Sequence, residues 1–287
     1  MILEFPSPSK ISAVVKLLAD EDPSVVEACR AQLVQWGEIV RDDVERANRE
    51  GCARTRVAAR CVLRSLDLSV WTARLCDLGA RVSKGERDDD LLREGVALFL
   101  RLARPGGDVE AVEARIDELI EGARRVVAGR SMPTAARELA AYLGGAQGFR
   151  GCAKSYYRPE NLFLDQVLER RRGLPIALVA LYLLVGRGAG LDLTAVRLPE
   201  YFLVRVHGRR PVLLDPFHAG RSVTKADCFR FLRSVGTAKP ASSWLKDMDD
   251  IDVLLGMMST LGRVHDHRED REFREALQRA QRSLSLL

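Results

Sequence analysis

Apolar residues recur every three or four positions through most of the first half of the chain, which predicts one helix after another. Ile11 to Leu18 carries the first such stripe. Asp22-Pro23-Ser24 restarts the pattern. A carboxylate there accepts a free N–H of the first turn, and a proline with preset φ stands where no N–H is needed. Val25, Val26, Cys29, Leu33 and Trp36 share one face, and Gly37 ends it. Glu38 to Arg49, Ala53 to Leu66, Leu68 to Arg81 and Leu91 to Leu102 keep the helical period, with the charged segment Ser83 to Asp90 before the last of them. Asp108 is placed to cap a helix whose inward stripe is Val109, Val112, Ile116, Leu119, Ile120, Ala123 and Val127. Its acidic residues come early and Arg124 and Arg125 late, as the helix dipole favours.

After Phe149 the period changes. Asn161 to Arg171 reads as a short amphipathic helix. Pro175 opens another, Ile176 to Arg187, which is apolar on nearly all sides and therefore central. Leu193 to Arg197, Phe202 to Val206 and Val212 to Leu214 alternate as strands, with His207 to Arg210 as a hairpin turn. Thr224 and Asp227 have capping-box spacing for a helix through Phe231. Leu254, Leu255, Met258 and Leu261, then Phe273, Leu277, Ala280 and Leu284, predict a closing antiparallel helix pair joined through His265 to Asp270. The fold class is α+β. Residues 1–145 are expected as an all-helical domain whose short helix pairs resemble HEAT-type repeats. Residues 146–245 are expected as a core with a small antiparallel sheet, and residues 246–287 as the C-terminal pair.

Charge narrows the picture. The 45 basic and 40 acidic residues are interleaved, which is the texture of a solvated helical surface despite a net charge of +5. The densest basic run is Arg170-Arg171-Arg172, at a predicted helix end; nucleic acid is not an expected partner. High Ala, Arg, Leu and Val with little Lys point to a GC-rich bacterial source. The six cysteines form no Cys-x-x-Cys pair, so neither a zinc ribbon nor a thioredoxin motif is supported. The longest apolar run, Ile176 to Val185, has ten residues, about half a membrane span. Together with the absence of an apolar leader, this predicts a cytoplasmic protein with free thiols, no membrane association and no cofactor.

One stretch carries several motifs in a fixed order: Gly148-Phe149-x-Gly151, Tyr157-x-Pro159-x-Asn161, Val167-Leu168-Glu169-Arg170-Arg171-x-Gly173-Leu174-Pro175, Leu198-Pro199, Phe202-Leu203-Val204-Arg205 and Asp215-Pro216-Phe217. In these, residues Gly148 to Gly220 resemble the SirB-type branch of transglutaminase-like proteins, whose core is similar to that of papain-like cysteine enzymes. The resemblance implies an all-helical N-terminal region and a C-terminal helix pair of tetratricopeptide type. It also implies where a thiol enzyme would keep its triad: a Cys at the start of the central helix, a His on a following strand and an Asp on the next. The corresponding positions hold Pro175, Tyr201 and Asp215, and no Cys lies between Ala153 and Asp227. The branch usually has Pro-Gly-His-Phe where this chain has Pro199-Glu200-Tyr201-Phe202. A proline offers no nucleophile, and a phenol is a poor base at neutral pH.

The expectation is therefore a non-catalytic, regulatory module that binds a protein or peptide. Its candidate binding residues are Tyr156, Tyr157, Asn161, Arg170, Tyr201, Asp215 and His218. Asn161 would cap the helix after it, with Tyr157 packed beneath. The competing reading is an amidohydrolase or cysteine peptidase with a relocated site, Cys152 with His218 and Asp215. Other clusters have plainer readings. His265-Asp266-His267 fits a solvated turn better than a metal site, because residues two apart on a helix do not share a face. Asp247, Asp249, Asp250 and Asp252 lack the glycine and glutamate of a calcium loop and sit where a helix begins. No metal is expected.

Overall fold

Helices fill the first half of the chain, as the 3.6-residue period demands. The computed structural model describes residues 6–84, 91–103, 108–153, 156, 158–199, 201–236, 245–265 and 271–285. The first helices are α1 (Pro8–Lys16), α2 (Pro23–Trp36), α3 (Arg41–Glu50) and α4 (Ala53–Ser83), then α5 (Leu91–Ala103), α6 (Val109–Val127) and α7 (Met132–Ala140). Asp22 caps α2 through the Ser24 amide, and Asp108 caps α6 through the Ala111 amide. Gly37 ends α2 at φ 71°, a conformation that glycine adopts without steric cost. The two helices expected over 53–66 and 68–81 are one continuous helix of 31 residues. Asp67, between the stripes, is no breaker; its carboxylate pairs with Arg41 at 2.7 Å.

The second half runs β1 (Arg150–Gly151), α8 (Leu164–Arg170), β2 (Arg172–Gly173), α9 (Pro175–Gly188), β3 (Leu193–Leu198), β4 (Tyr201–Val206) and β5 (Val212–Asp215). It continues with β6 (Arg221–Val223), α10 (Lys225–Ser234), β7 (Asp247–Met248), α11 (Asp250–His265) and α12 (Arg271–Ser285). β1 and β2 form a two-residue parallel pair. The other strands make one antiparallel sheet in the order β6-β5-β4-β3-β7. Its two outer strands escaped the sequence reading because two or three residues cannot show an alternation. Residues 161–171 are not one helix: a 3₁₀ turn over Pro159–Asn161 precedes α8.

By contact the chain forms two compact units, residues 1–74 with 271–276, and residues 75–270 with 277–287. In the first, Ile11, Leu18, Leu33, Val40, Val44, Val62 and Leu66 close one apolar core. The second holds the sheet. α9 is its axis: eleven of its fourteen residues are buried, and it packs on β3 and β4 and against α6, α8 and α11. Each fully buried Leu or Val there contributes about 1.5–3 kcal/mol. Within this unit Ser259 lies by Gln281, and the bare face of Gly262 meets Leu277, so these stretches of α11 and α12 run antiparallel. Asp249 accepts the Asp252 amide at the start of α11, and Asp250 pairs with Arg187 at 2.7 Å. Among the described residues no helix is long and apolar enough to cross a membrane.

Candidate functional site

The start of α9 is fixed by main-chain bonds. The Arg150 amide donates to the Arg171 carbonyl at 3.2 Å, beside the parallel pairing of β1 and β2. The Leu174 amide then donates to the Asn161 carbonyl at 2.7 Å. Asn161 therefore does not cap α8, whose N-cap position is Phe163 with no side-chain bond. Instead it sits fully buried, holds the approach to α9, and accepts Arg170 on its side-chain oxygen at 3.3 Å. The basic run is spent on the same connection. Arg171 donates to the Gln147 carbonyl and Arg172 to the Gly148 carbonyl. Pro175 is the first residue of α9 and is buried.

Across the sheet, the pairing of Val204 with Leu214, continued one step, sets Asp215 opposite Leu203. Tyr201, two residues along β4, lies on the same face and reaches Asp215 on the diagonal. Its hydroxyl donates to Asp215 Oδ1 at 2.8 Å. The chain then tightens into a 3₁₀ turn over Pro216–His218, and Asp215 accepts the amide of His218 at 3.2 Å. Ala219 and Gly220 both have positive φ, 57° and 76°, and turn the strand back into β6. This reversal lays the His218 ring against Asp215, with Nδ1 2.7 Å from Oδ2 and 2.8 Å from the Tyr201 oxygen. Arg221, paired with Asp215 across the strands, adds a bond from Nη2 to Oδ2 at 3.4 Å.

Four donors thus converge on one carboxylate that is 3% exposed, which matches the acceptor capacity of a carboxylate. Aromatic rings surround it. Phe217 packs edge-on to Tyr201 and His218 and tilted against Tyr156, and Phe231 of α10 lies 5.3 Å from Tyr201. The Phe217 ring covers Gly151 so closely that an added Cβ would lie 2.3 Å from it, so only glycine fits. Burial, then the charge of Asp215 and its hydrogen bond, push the Tyr201 phenol well above the usual range. Tyr182 of α9 is raised in the same direction, first by burial and then by Asp215. Its hydroxyl is buried without a hydrogen-bond partner among the described residues.

A strained reversal after a strand, a buried carboxylate and a following imidazole sit at the edge of a sheet with an apolar helix laid across it. A profile of the transglutaminase-like superfamily matches residues 110–259, just over half of the chain. The chain belongs to that superfamily. A UPF0162 protein of Xylella fastidiosa is 34% identical over 126 residues, 43% of this chain and 45% of its own length. One of Vibrio cholerae is 40% identical over 73 residues, 25% of this chain and 27% of its own length. F-box only protein 21 of Mus musculus is 36% identical over 89 residues, 28% of this chain and 14% of its own length. The matched stretches thus span less than half of each of these relatives. No solved structure matches the chain.

In this transglutaminase-like core, Tyr201, Asp215 and His218 come together, and Tyr156 joins them through Phe217. Asn161 and Arg170 meet each other, but at the approach to α9. Cys152, partly buried, follows β1. Tyr157, Glu200, Asp266 and His267 lie outside the described residues. Sequence reasoning missed Arg221, Phe217, Phe231 and Tyr182 as members of the site. A signal for Phe217 was present in Asp215-Pro216-Phe217, because a proline after a strand carboxylate starts a turn that brings the next ring back over the strand end. Among the described residues no three His, Cys, Asp or Glu are grouped so as to hold a metal ion.

Proposed function

We propose that this chain is a non-catalytic transglutaminase-like protein of SirB type that binds a protein or peptide segment through the face around Tyr201. One observation carries the reading. The residue in the base position is a phenol whose proton is held by Asp215 and whose titration is pushed far above neutrality, so it takes no proton from a nucleophile. At the helix start stands a buried proline. The same face suits recognition. Tyr156, Phe217, Tyr201 and Phe231 are all partly exposed and adjoin the exposed His218 and Arg221. Aromatic rings and arginine supply most of the energy at binding surfaces. In this reading residues 146–245 form the binding core, with a HEAT-like helical region before it and a tetratricopeptide-like pair after it, in a bacterial cytoplasm.

The test has two arms. The protein is incubated with a thiol-directed glutamine-peptide analogue and an amine donor, and separately with an array of unrelated peptides. The expected result is no turnover, together with saturable retention of a subset of peptides that Tyr201→Ala weakens at least tenfold. Stoichiometric labelling of one cysteine with turnover overturns the proposal, as does peptide retention indifferent to Tyr201.

A further inference from the structure

We propose that this face recognises an oxyanion, a carboxylate or phosphoryl group carried by the bound peptide, held between His218 and Arg221; the inference rests on the peptide-binding reading above. Asp215 already accepts from the Tyr201 hydroxyl, the His218 amide, His218 Nδ1 and Arg221 Nη2. A carboxylate has about four acceptor sites, so this one is full and offers nothing to an incoming ammonium or amide N–H. What remains facing outward is donor capacity. Arg221 is 63% exposed and spends one N–H on Asp215. Among the described residues His218, 52% exposed, makes its side-chain hydrogen bonds at Nδ1, leaving Nε2 unbonded.

Both side chains are anchored to one oxygen. His218 Nδ1 and Arg221 Nη2 bond Asp215 Oδ2 at 2.7 and 3.4 Å, so they lie within about 6 Å of each other. An oxyanion bridging the outer edge of the imidazole and the free N–H groups of the guanidinium fits that spacing, and such charge-assisted bonds are the strong ones. Pre-anchoring adds to charge, since the imidazole is already held by Asp215 and Tyr201. The rings of Phe217 and Tyr201, against which the imidazole packs, offer an apolar seat for the stem that carries the anion.

Proton count adds a signature. With Nδ1–H directed at Asp215, an anion at Nε2 requires a second ring proton, so binding takes up a proton wherever the free ring is neutral. The charged or titratable groups facing the ring are Asp215 of β5, Tyr201 of β4 and Arg221 of β6, with Tyr182 of α9 near Asp215 from the helix side. Affinity for the anion is therefore expected to rise as pH falls.

The experiment follows the imidazole nitrogens of the full chain by long-range nitrogen–proton NMR during titration with N-acetylglycine, phenyl phosphate and, as the neutral arm, N-acetylglycinamide. The expected result is a saturable shift at His218 with the anions and none with the amide. Arg221→Ala is expected to weaken it about tenfold, and His218→Gln to abolish its pH dependence. The tighter of the two anions identifies the group carried by the natural segment. No saturable shift with either anion, or an equal shift with the amide, overturns the inference. Failure here leaves peptide retention in the array intact. A labelled cysteine with turnover sinks the non-catalytic reading while leaving this titration untouched.

Discussion

The start of α9 and the junction of β4 with β5 both hold a residue in one place, by opposite means. At Pro175 the work is done by the backbone: a parallel strand pair and a bond from Leu174 to Asn161 set the helix, and no side chain caps it. At Asp215 it is done by side chains, with donors from β4, the following turn and β6 meeting on one buried carboxylate. The lesson is that the two positions differ in what they tolerate. A position held by the main chain accepts a change of side chain, whereas a carboxylate that organises four donors does not.

The comparison breaks first at its strongest point. Asp215→Ala is expected to cost about 3–5 kcal/mol in urea unfolding, because it takes the acceptor from the Tyr201 hydroxyl and the His218 amide and leaves a gap between them. Pro175→Ala is expected to cost no more than about 1 kcal/mol, the backbone freedom it returns to the unfolded chain. Equal costs would remove the distinction. Tyr201→Phe, which deletes one bond to the carboxylate and keeps the ring packing, is expected to cost about 1.5–3 kcal/mol.

A pH series sharpens the same contrast. Both Tyr201 and Tyr182 have folded-state titrations raised above the ordinary phenol value of about 10, by burial first and Asp215 next. A raised group lends stability that is fully present below its unfolded value. Unfolding free energy is therefore expected to hold to about pH 10 and fall beyond it, with Tyr201→Phe and Tyr182→Phe each flattening that fall. At neutral pH the smallest effect is expected from Tyr182→Phe, a gain of up to about 1 kcal/mol, since it removes a buried hydroxyl with no partner among the described residues.

The elements that long periods or explicit caps define were legible in the chain: α2 from Asp22-Pro23, α6 from Asp108, α10 from Thr224 and Asp227, and α9 from its all-round apolar run. So was the hairpin of β4 and β5. What escaped was decided by tertiary contact. Asn161 looks like a cap by residue type, yet its carbonyl is claimed by Leu174, thirteen residues away in the chain and adjacent only once α8 has folded back. Arg170, Arg171 and Arg172 read as cations at a helix end, and their partners were hidden: Arg170 bonds Asn161 and the other two bond backbone carbonyls. At the site, Tyr201 and Asp215 were legible by resemblance. The parts played by His218 and Arg221 depended on a reversal at Ala219 and Gly220 that no short pattern announces in advance, because alanine seldom adopts positive φ.

The convergence on Asp215 also has a kinetic side. Every side chain that meets the carboxylate comes from the stretch between Tyr201 and Arg221, so closing the cluster needs only short loops and little chain entropy. The approach to α9 combines the shorter closure of Asn161 with Leu174 and the longer one of Gln147 with Arg171, and is complete only when both are made. The strand hairpin with its polar knot is therefore expected to open as a unit. Amide protons of β4, β5 and the turn between Asp215 and Gly220 should then share one exchange rate, slower than those of the approach to α9.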